Sequence, residues 1–166
     1  MKAAILLGVL TVALTFIVGG VASRQGPNVL ARFLERDTRY TREELRRWVS
    51  ENSANARAYA FPILFPLDLL FLLCLGGFVA AGSWSVGREI GITGGFHRWL
   101  LAAPLLYVAA DLLEDVALAW MLTSADRITD ATVQATKLLT MVKLVASSLS
   151  IVQLTALSSI AVWQDW

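Results

Sequence analysis

Residues 99–122 read WLLAAPLLYVAADLLEDVALAWML, an apolar run that carries three carboxylate side chains near its centre. As a helix, a run of this length reaches about 36 Å, enough to cross the hydrocarbon core of a bilayer. Similar runs occupy residues 3–22, 59–82 and 138–163. Helices satisfy their own backbone hydrogen bonds in lipid, and none of the runs alternates like a barrel strand. The sequence therefore predicts an all-α integral membrane four-helix bundle, formed by residues 1–166 as a single domain.

The prolines of these runs stand close to their starts. Pro62 and Pro66 fall in the first two turns of the second run, and Pro104 in the first two turns of the third. A proline costs least there, because the first N–H groups of a helix have no partner within the helix. We therefore expect the second helix to run from residue 59 to residue 82.

The composition fits this class. Of 166 residues, 57% are hydrophobic and 16% charged, whereas soluble domains average about 45–50% and about 25%. A net charge of +1 without a basic stripe argues against nucleic-acid binding. One cysteine and one histidine exclude thiol redox chemistry and a His-rich zinc centre, and we expect no cofactor. We expect His97 to be a solvated residue at a helix end. An oxygen-only site for Mg²⁺ or Ca²⁺ stays open.

The sequence allows two interpretations of the first apolar run and two orientations of the protein in the membrane. One lysine, an apolar run and small residues at 19–23 also fit a secretory signal, but we expect a retained helix. Ten arginine and lysine residues lie on the side of the first loop and three on the other, which favours a cytoplasmic first loop. A signal-like first span after a short, lysine-led N-terminus favours the opposite orientation. The topology stays open.

The first loop, residues 23–58, contains a short amphipathic helix. Thr41 followed by Glu44 is a capping-box pattern, and it predicts a helix over residues 42–51. Its apolar face is formed by Leu45, Trp48 and Val49, at helical spacing. One interpretation is an interfacial helix lying on lipid headgroups, and the other is a lid over one mouth of the bundle.

Charges inside the predicted spans are the most informative feature, because each costs about 2.5–3.5 kcal/mol in a bilayer. Counting from the helix ends places five of them about 9–16 Å below the same surface. We call them the charged layer: Asp68, Asp111, Glu114, Asp115 and Lys143. The three acids of the third span share one helical face, and Tyr107 lies one turn earlier on it. Thr140, Ser147 and Ser150 continue the polar face of the fourth span.

Four carboxylates against one lysine leave an excess of negative charge. A low-dielectric layer cannot hold it, so a carboxyl group must be protonated, a cation must bind, or an arginine such as Arg57 must fold inward. The predicted ligand- or ion-binding residues are Asp68, Tyr107, Asp111, Glu114, Asp115 and Lys143. A purely structural ion-pair network is the alternative.

Three segments resemble an uncharacterised family of small four-helix bacterial membrane proteins. They are RDTRYTREEL at 36–45, ARAYAFPILFPLDLLF at 56–71 and PLLYVAADLLEDVALA at 104–119, followed by a lysine early in the fourth helix. The family carries LDxxF in helix two and DxxEN in helix three. Tyr40, Asp68, Asp111, Glu114 and Lys143 match, whereas Asp115 stands where the family has asparagine. The resemblance implies a shared polar core and names no reaction.

Three functions are compatible with the sequence. The first is a binding or transport protein whose charged layer holds a proton, a cation or a small amine-bearing ligand. The second is an accessory or assembly subunit of a larger membrane complex, and the third an intramembrane enzyme that acts on a lipid or isoprenoid by carboxylic-acid catalysis. We expect a multi-pass protein of the bacterial inner membrane with the lipid bilayer as its surroundings. A membrane-protein partner or a homo-oligomer stays open.

Overall fold

The computed structural model describes residues 2–24 and 39–164, and these residues are almost entirely helical, without a strand. This confirms the all-α class. Residues 25–38, assigned above to the first loop, lie outside the described residues.

The helices follow in the order α1 (Lys2–Arg24), α2 (Arg42–Glu51), α3 (Ser53–Ala58), α4 (Leu69–Glu89), α5 (Gly94–Trp99), α6 (Ala102–Leu122) and α7 (Asp130–Gln164). A kinked segment, Tyr59–Asp68, joins α3 to α4, and a 3₁₀ turn, Ala125–Arg127, precedes α7. Three stretches are helical, long and apolar enough to cross a membrane: Lys2–Val21, Ser53–Glu89 and Asp130–Gln164. The helix α6 is 21 residues long and differs from them in its three central carboxyl groups.

The helices pack around α6. Its most extensive partner is α7, α4 contacts both of them, and α1 packs against α4 at the edge. The contact between α4 and α6 is close at Gly76, where a Cβ atom would overlap the Val108 side chain. Because short connections link α4 to α6 and α6 to α7, α6 runs antiparallel to both neighbours, and α4 is parallel to α7.

The second predicted span is not a regular helix from residue 59, and this expectation was wrong. Phe61 (φ −140°, ψ 116°) and Phe65 (φ −126°, ψ 120°) are extended. Each precedes a proline, whose ring disfavours the helical conformation of the residue before it. The regular helix therefore begins at Leu69, directly after Asp68. The fourth helix also differs, since it begins at Asp130 rather than near residue 138.

The apolar face of α2 is buried against protein. Thr41 and Glu44 form the predicted capping box, and the helix has the predicted bounds. Its apolar residues join the ends of α6 and α7 in a cluster that we call the loop-side cluster; its members include Leu45, Trp48, Val49, Tyr59, Leu118, Met121, Leu122, Ile128 and Val133. An interfacial helix would place this apolar face against lipid headgroups, but protein covers it. Of the two interpretations of α2, the packing therefore favours the lid.

The opposite end of the bundle is closed by a second cluster, the far-side cluster. It contains Val86, Leu100 and Leu157, with partly buried aliphatic residues around them. His97 lies beside it and is buried, so the expectation of a solvated histidine was wrong. Its Nε2 lies 2.9 Å from the Trp84 carbonyl oxygen, and its ring stacks on the Trp84 indole at 3.7 Å between centroids. These contacts replace the interactions with water that the imidazole loses on burial.

Candidate functional site

The charged layer is assembled by three helices. Helix α6 supplies Asp111, Glu114 and Asp115 from one face, α7 supplies Lys143, and Asp68 stands at the start of α4. All but Asp68 are buried, and Asp68 is partly buried. The structure therefore brings together the residues that the sequence selected.

Lys143 is the centre of an ion-pair network. Its Nζ lies 2.7 Å from Asp111 Oδ1 and 2.5 Å from Glu114 Oε2. The Thr140 hydroxyl donates to the other oxygen of Glu114 at 2.5 Å. The Tyr107 side chain hydrogen-bonds the Asp111 carboxylate. Lys143 thus neutralises carboxylates one turn apart on α6 and ties α7 to α6.

Three aspartates form a second group beside the lysine. One carboxylate oxygen from each of Asp68, Asp111 and Asp115 lies within 4.8 Å of the others. At this separation, two ionised carboxylates repel each other by about 3 kcal/mol at an effective dielectric constant of about 20. Among the residues that the structure describes, the charged layer combines four carboxyl groups with one lysine side chain. Protons or a bound cation would remove this repulsion.

An inward-folded arginine, such as Arg57, is one way predicted from the sequence to neutralise the excess carboxylates. In the structure Arg57 is exposed, so it does not fold inward. Its position at the end of α3, before the kinked segment, keeps its guanidinium on the outside.

A cavity of about 200 Å³ adjoins the charged layer, and we call it the lateral cavity. It lies between α4 and α7, with α6 behind it. Its lining comprises Asp68, Phe71, Leu75, Tyr107, Asp111, Lys143, Leu144, Ser147 and Ile151. Glu114 and Asp115 do not line it, although they belong to the charged layer. The cavity thus offers a small ligand direct access to two of the four carboxyl groups.

The apolar part of this lining is not among the site residues predicted from the sequence. Phe71 and Leu75 follow Asp68 at i+3 and i+7, and Ile151 follows Lys143 at i+8. These spacings place them on the same helical faces as the charged residues. This spacing can be seen in the sequence, but it does not single these residues out, because every face of an apolar helix carries large apolar side chains.

Ser147 and Ser150, both on the predicted polar face, have different surroundings in the structure. Ser147 lines the lateral cavity. Ser150 is buried and donates to the Ala146 carbonyl oxygen at 2.7 Å, within its own helix.

Replacing Thr140 by valine is expected to destabilise the fold by about 1–3 kcal/mol, because a buried oxygen of Glu114 loses its hydroxyl donor. Thr136→Val is the matched control. Both hydroxyls contact the carbonyl oxygen four residues earlier on α7, Thr140 that of Thr136 and Thr136 that of Thr132, but the Thr140 hydroxyl also contacts Glu114. Denaturant unfolding in detergent, followed by circular dichroism, measures both variants. Equal losses for the two would contradict a specific role for the Thr140–Glu114 contact.

Comparisons with family models, with curated proteins and with solved structures found no match. The charged layer and the lateral cavity are therefore interpreted from their own chemistry.

Proposed function

We propose that the chain is a polytopic membrane protein with four spans, and that its charged layer binds a proton, a cation or a small amine-bearing ligand. Three helical stretches with the length and apolarity of membrane spans support the first part. The antiparallel packing of α6 between two of them supports a fourth, because α6 would have to cross the same bilayer. Its 21 residues reach about 31 Å, a typical hydrocarbon thickness.

The observation that carries the function is the charge balance beside the lateral cavity. Four carboxyl groups lie around one ammonium, which already contacts two of them. A network built only to join helices gains from equal numbers of opposite charges, whereas an excess of buried negative charge costs free energy. A site that takes up positive charge accounts for this excess.

The test measures thermal unfolding of the detergent-solubilised protein with Mg²⁺, Ca²⁺ or methylammonium, at constant ionic strength. Ligand at about 100 times its Kd stabilises the folded state by about 2.7 kcal/mol, so the melting temperature should rise with at least one of these cations. The same titrations at about pH 5 and about pH 9 test for a bound proton.

Asp68→Asn should reduce the response, because Asp68 lines the cavity. Asp126→Asn is the matched control, since the Asp126 side chain is exposed in the 3₁₀ turn. A melting temperature that is independent of cation and of pH in the unaltered protein would overturn the proposed function.

An accessory or assembly subunit is the second candidate. The observation that favours it is the pairing of Lys143 with Asp111 and Glu114. In this interpretation these three residues of the charged layer serve to hold α6 against α7. Native mass spectrometry of protein extracted gently from its own membranes separates the two functions. A stoichiometric protein partner would support the subunit, and a bound cation or amine would support the binding protein.

A further inference from the structure

We propose that the lateral cavity receives an ammonium group carried on an apolar chain, which enters sideways between α4 and α7. This inference rests on the proposed function and names the class of its ligand. The shared chemistry is a primary ammonium with an apolar tail, found both in free long-chain amines and in the ethanolamine headgroup of a phospholipid.

The lining of the cavity changes from charged to apolar along one direction. On α4 the sequence of lining residues is Asp68, Phe71 and Leu75; on α7 it is Lys143, Ser147 and Ile151. These helices are parallel, so both lines run the same way, and each covers about 10–12 Å. The cavity therefore matches an amphiphile whose polar end faces the loop side.

The ends of the bundle are closed on either side of this cavity. The loop-side cluster, which includes the apolar face of α2, packs one end of the bundle, and the far-side cluster packs the opposite end. By contrast, two residues of the cavity wall are partly on the outer surface: Leu144 is 42% exposed and Ile151 53%. The opening thus faces the side of the bundle, where hydrocarbon would surround a spanning helix.

The charges of the lining select a cationic head. The lining includes two acidic residues, Asp68 and Asp111, and one basic residue, Lys143, whose ammonium is already paired with Asp111 and with Glu114 outside the lining. The Tyr107 and Ser147 hydroxyls add acceptors for ammonium hydrogens. At about 200 Å³ the cavity is smaller than a typical ligand pocket of about 300–1,000 Å³. It has room for the head and the start of a chain, while the rest of the chain would lie between helices and lipid.

The experiment measures saturable binding of radiolabelled dodecylamine to the protein in phosphatidylcholine nanodiscs, with empty nanodiscs subtracted. Dodecanol is the neutral analogue with the same tail, and methylammonium is the head alone. Dodecylamine is expected to bind at least about tenfold more tightly than either. A second set of nanodiscs contains phosphatidylethanolamine. Displacement of dodecylamine there would assign the site to the lipid headgroup, and undiminished binding would assign it to a free amine.

Two variants test the route and the site. Ser147→Phe places a ring in the opening and should abolish dodecylamine binding, whereas Ser148→Phe, on the exposed neighbour, should leave it unchanged. Asp68→Asn should weaken binding by at least about tenfold without filling any space. Circular dichroism verifies the fold of each variant, and Asp68→Asn keeps the test valid if Ser147→Phe fails to fold.

Failure of this inference differs from failure of the proposed function. Suppose that methylammonium binds as tightly as dodecylamine, and that its binding depends on Asp68 but not on Ser147→Phe. This result would overturn the proposal of an amphiphilic ligand and would still support a cation site. A response of the melting temperature to metal ions or pH without any amine binding would have the same meaning. Loss of all these responses would overturn both.

Discussion

Replacing Lys143 by methionine is expected to lower the free energy of unfolding by about 3–5 kcal/mol, the cost of breaking a buried ion pair on one side. The ammonium contacts two buried carboxylates, so its loss leaves both without their counter-charge. Methionine has a similar length and fills the space, so the loss reports charge rather than a void. Unfolding in mixed micelles, followed by tryptophan fluorescence, measures the change.

The control and the rescue make this prediction specific. Lys2→Met removes an exposed lysine at the start of α1 and should change stability by less than about 0.5 kcal/mol. Adding Asp111→Asn and Glu114→Gln to Lys143→Met should recover much of the loss, because neutral amides do not need the ammonium. A Lys143→Met protein as stable as the Lys2→Met control would show that the network does not hold α6 against α7.

The charged layer could be predicted from sequence because its geometry depends mainly on local spacing and on helix length. Residues i, i+3 and i+4 of a helix share a face wherever that helix lies, which fixes Asp111, Glu114 and Asp115. Counting from the predicted span ends placed Lys143 at a similar depth, although α7 begins at Asp130 and not near residue 138 as that count assumed. The structure brings all of these residues together. The same logic predicted the capping box at Thr41, which is a contact between residues three apart.

Other features depend on contacts that spacing does not encode. His97 is buried because the Trp84 ring and carbonyl group, thirteen residues away, receive it across the turn between α4 and α6. Whether α2 would lie on lipid or on protein depended on the apolar ends of α6 and α7, which are distant in sequence. The kink before α4 does have a local signal, because Phe61 and Phe65 each precede a proline, but a long apolar run with prolines near its start is also compatible with a regular helix.

Replacing Leu45 by alanine is expected to loosen the lid helix α2 more than removal of both of its ion pairs. Leu45 is fully buried in the loop-side cluster, and a buried leucine truncated to alanine costs about 2–5 kcal/mol. The ion pairs join Arg42 to Asp130 at 2.9 Å and Arg46 to Asp126 at 3.4 Å. The aspartate side chains are 69% and 90% exposed, so each pair is worth at most about 1 kcal/mol.

Hydrogen exchange of the amides in α2 measures this difference, provided that α2 opens without unfolding the bundle. Leu45→Ala should then raise exchange by about 30-fold to several thousand-fold, since about 1.4 kcal/mol corresponds to a factor of ten. The Asp126→Asn and Asp130→Asn double variant should raise it by no more than about 30-fold. Exchange in α6 reports the bundle and should change less than exchange in α2. If the double variant instead opened α2 more than Leu45→Ala, the lid would be held by its charges, and salt concentration would control access to the loop side of the charged layer.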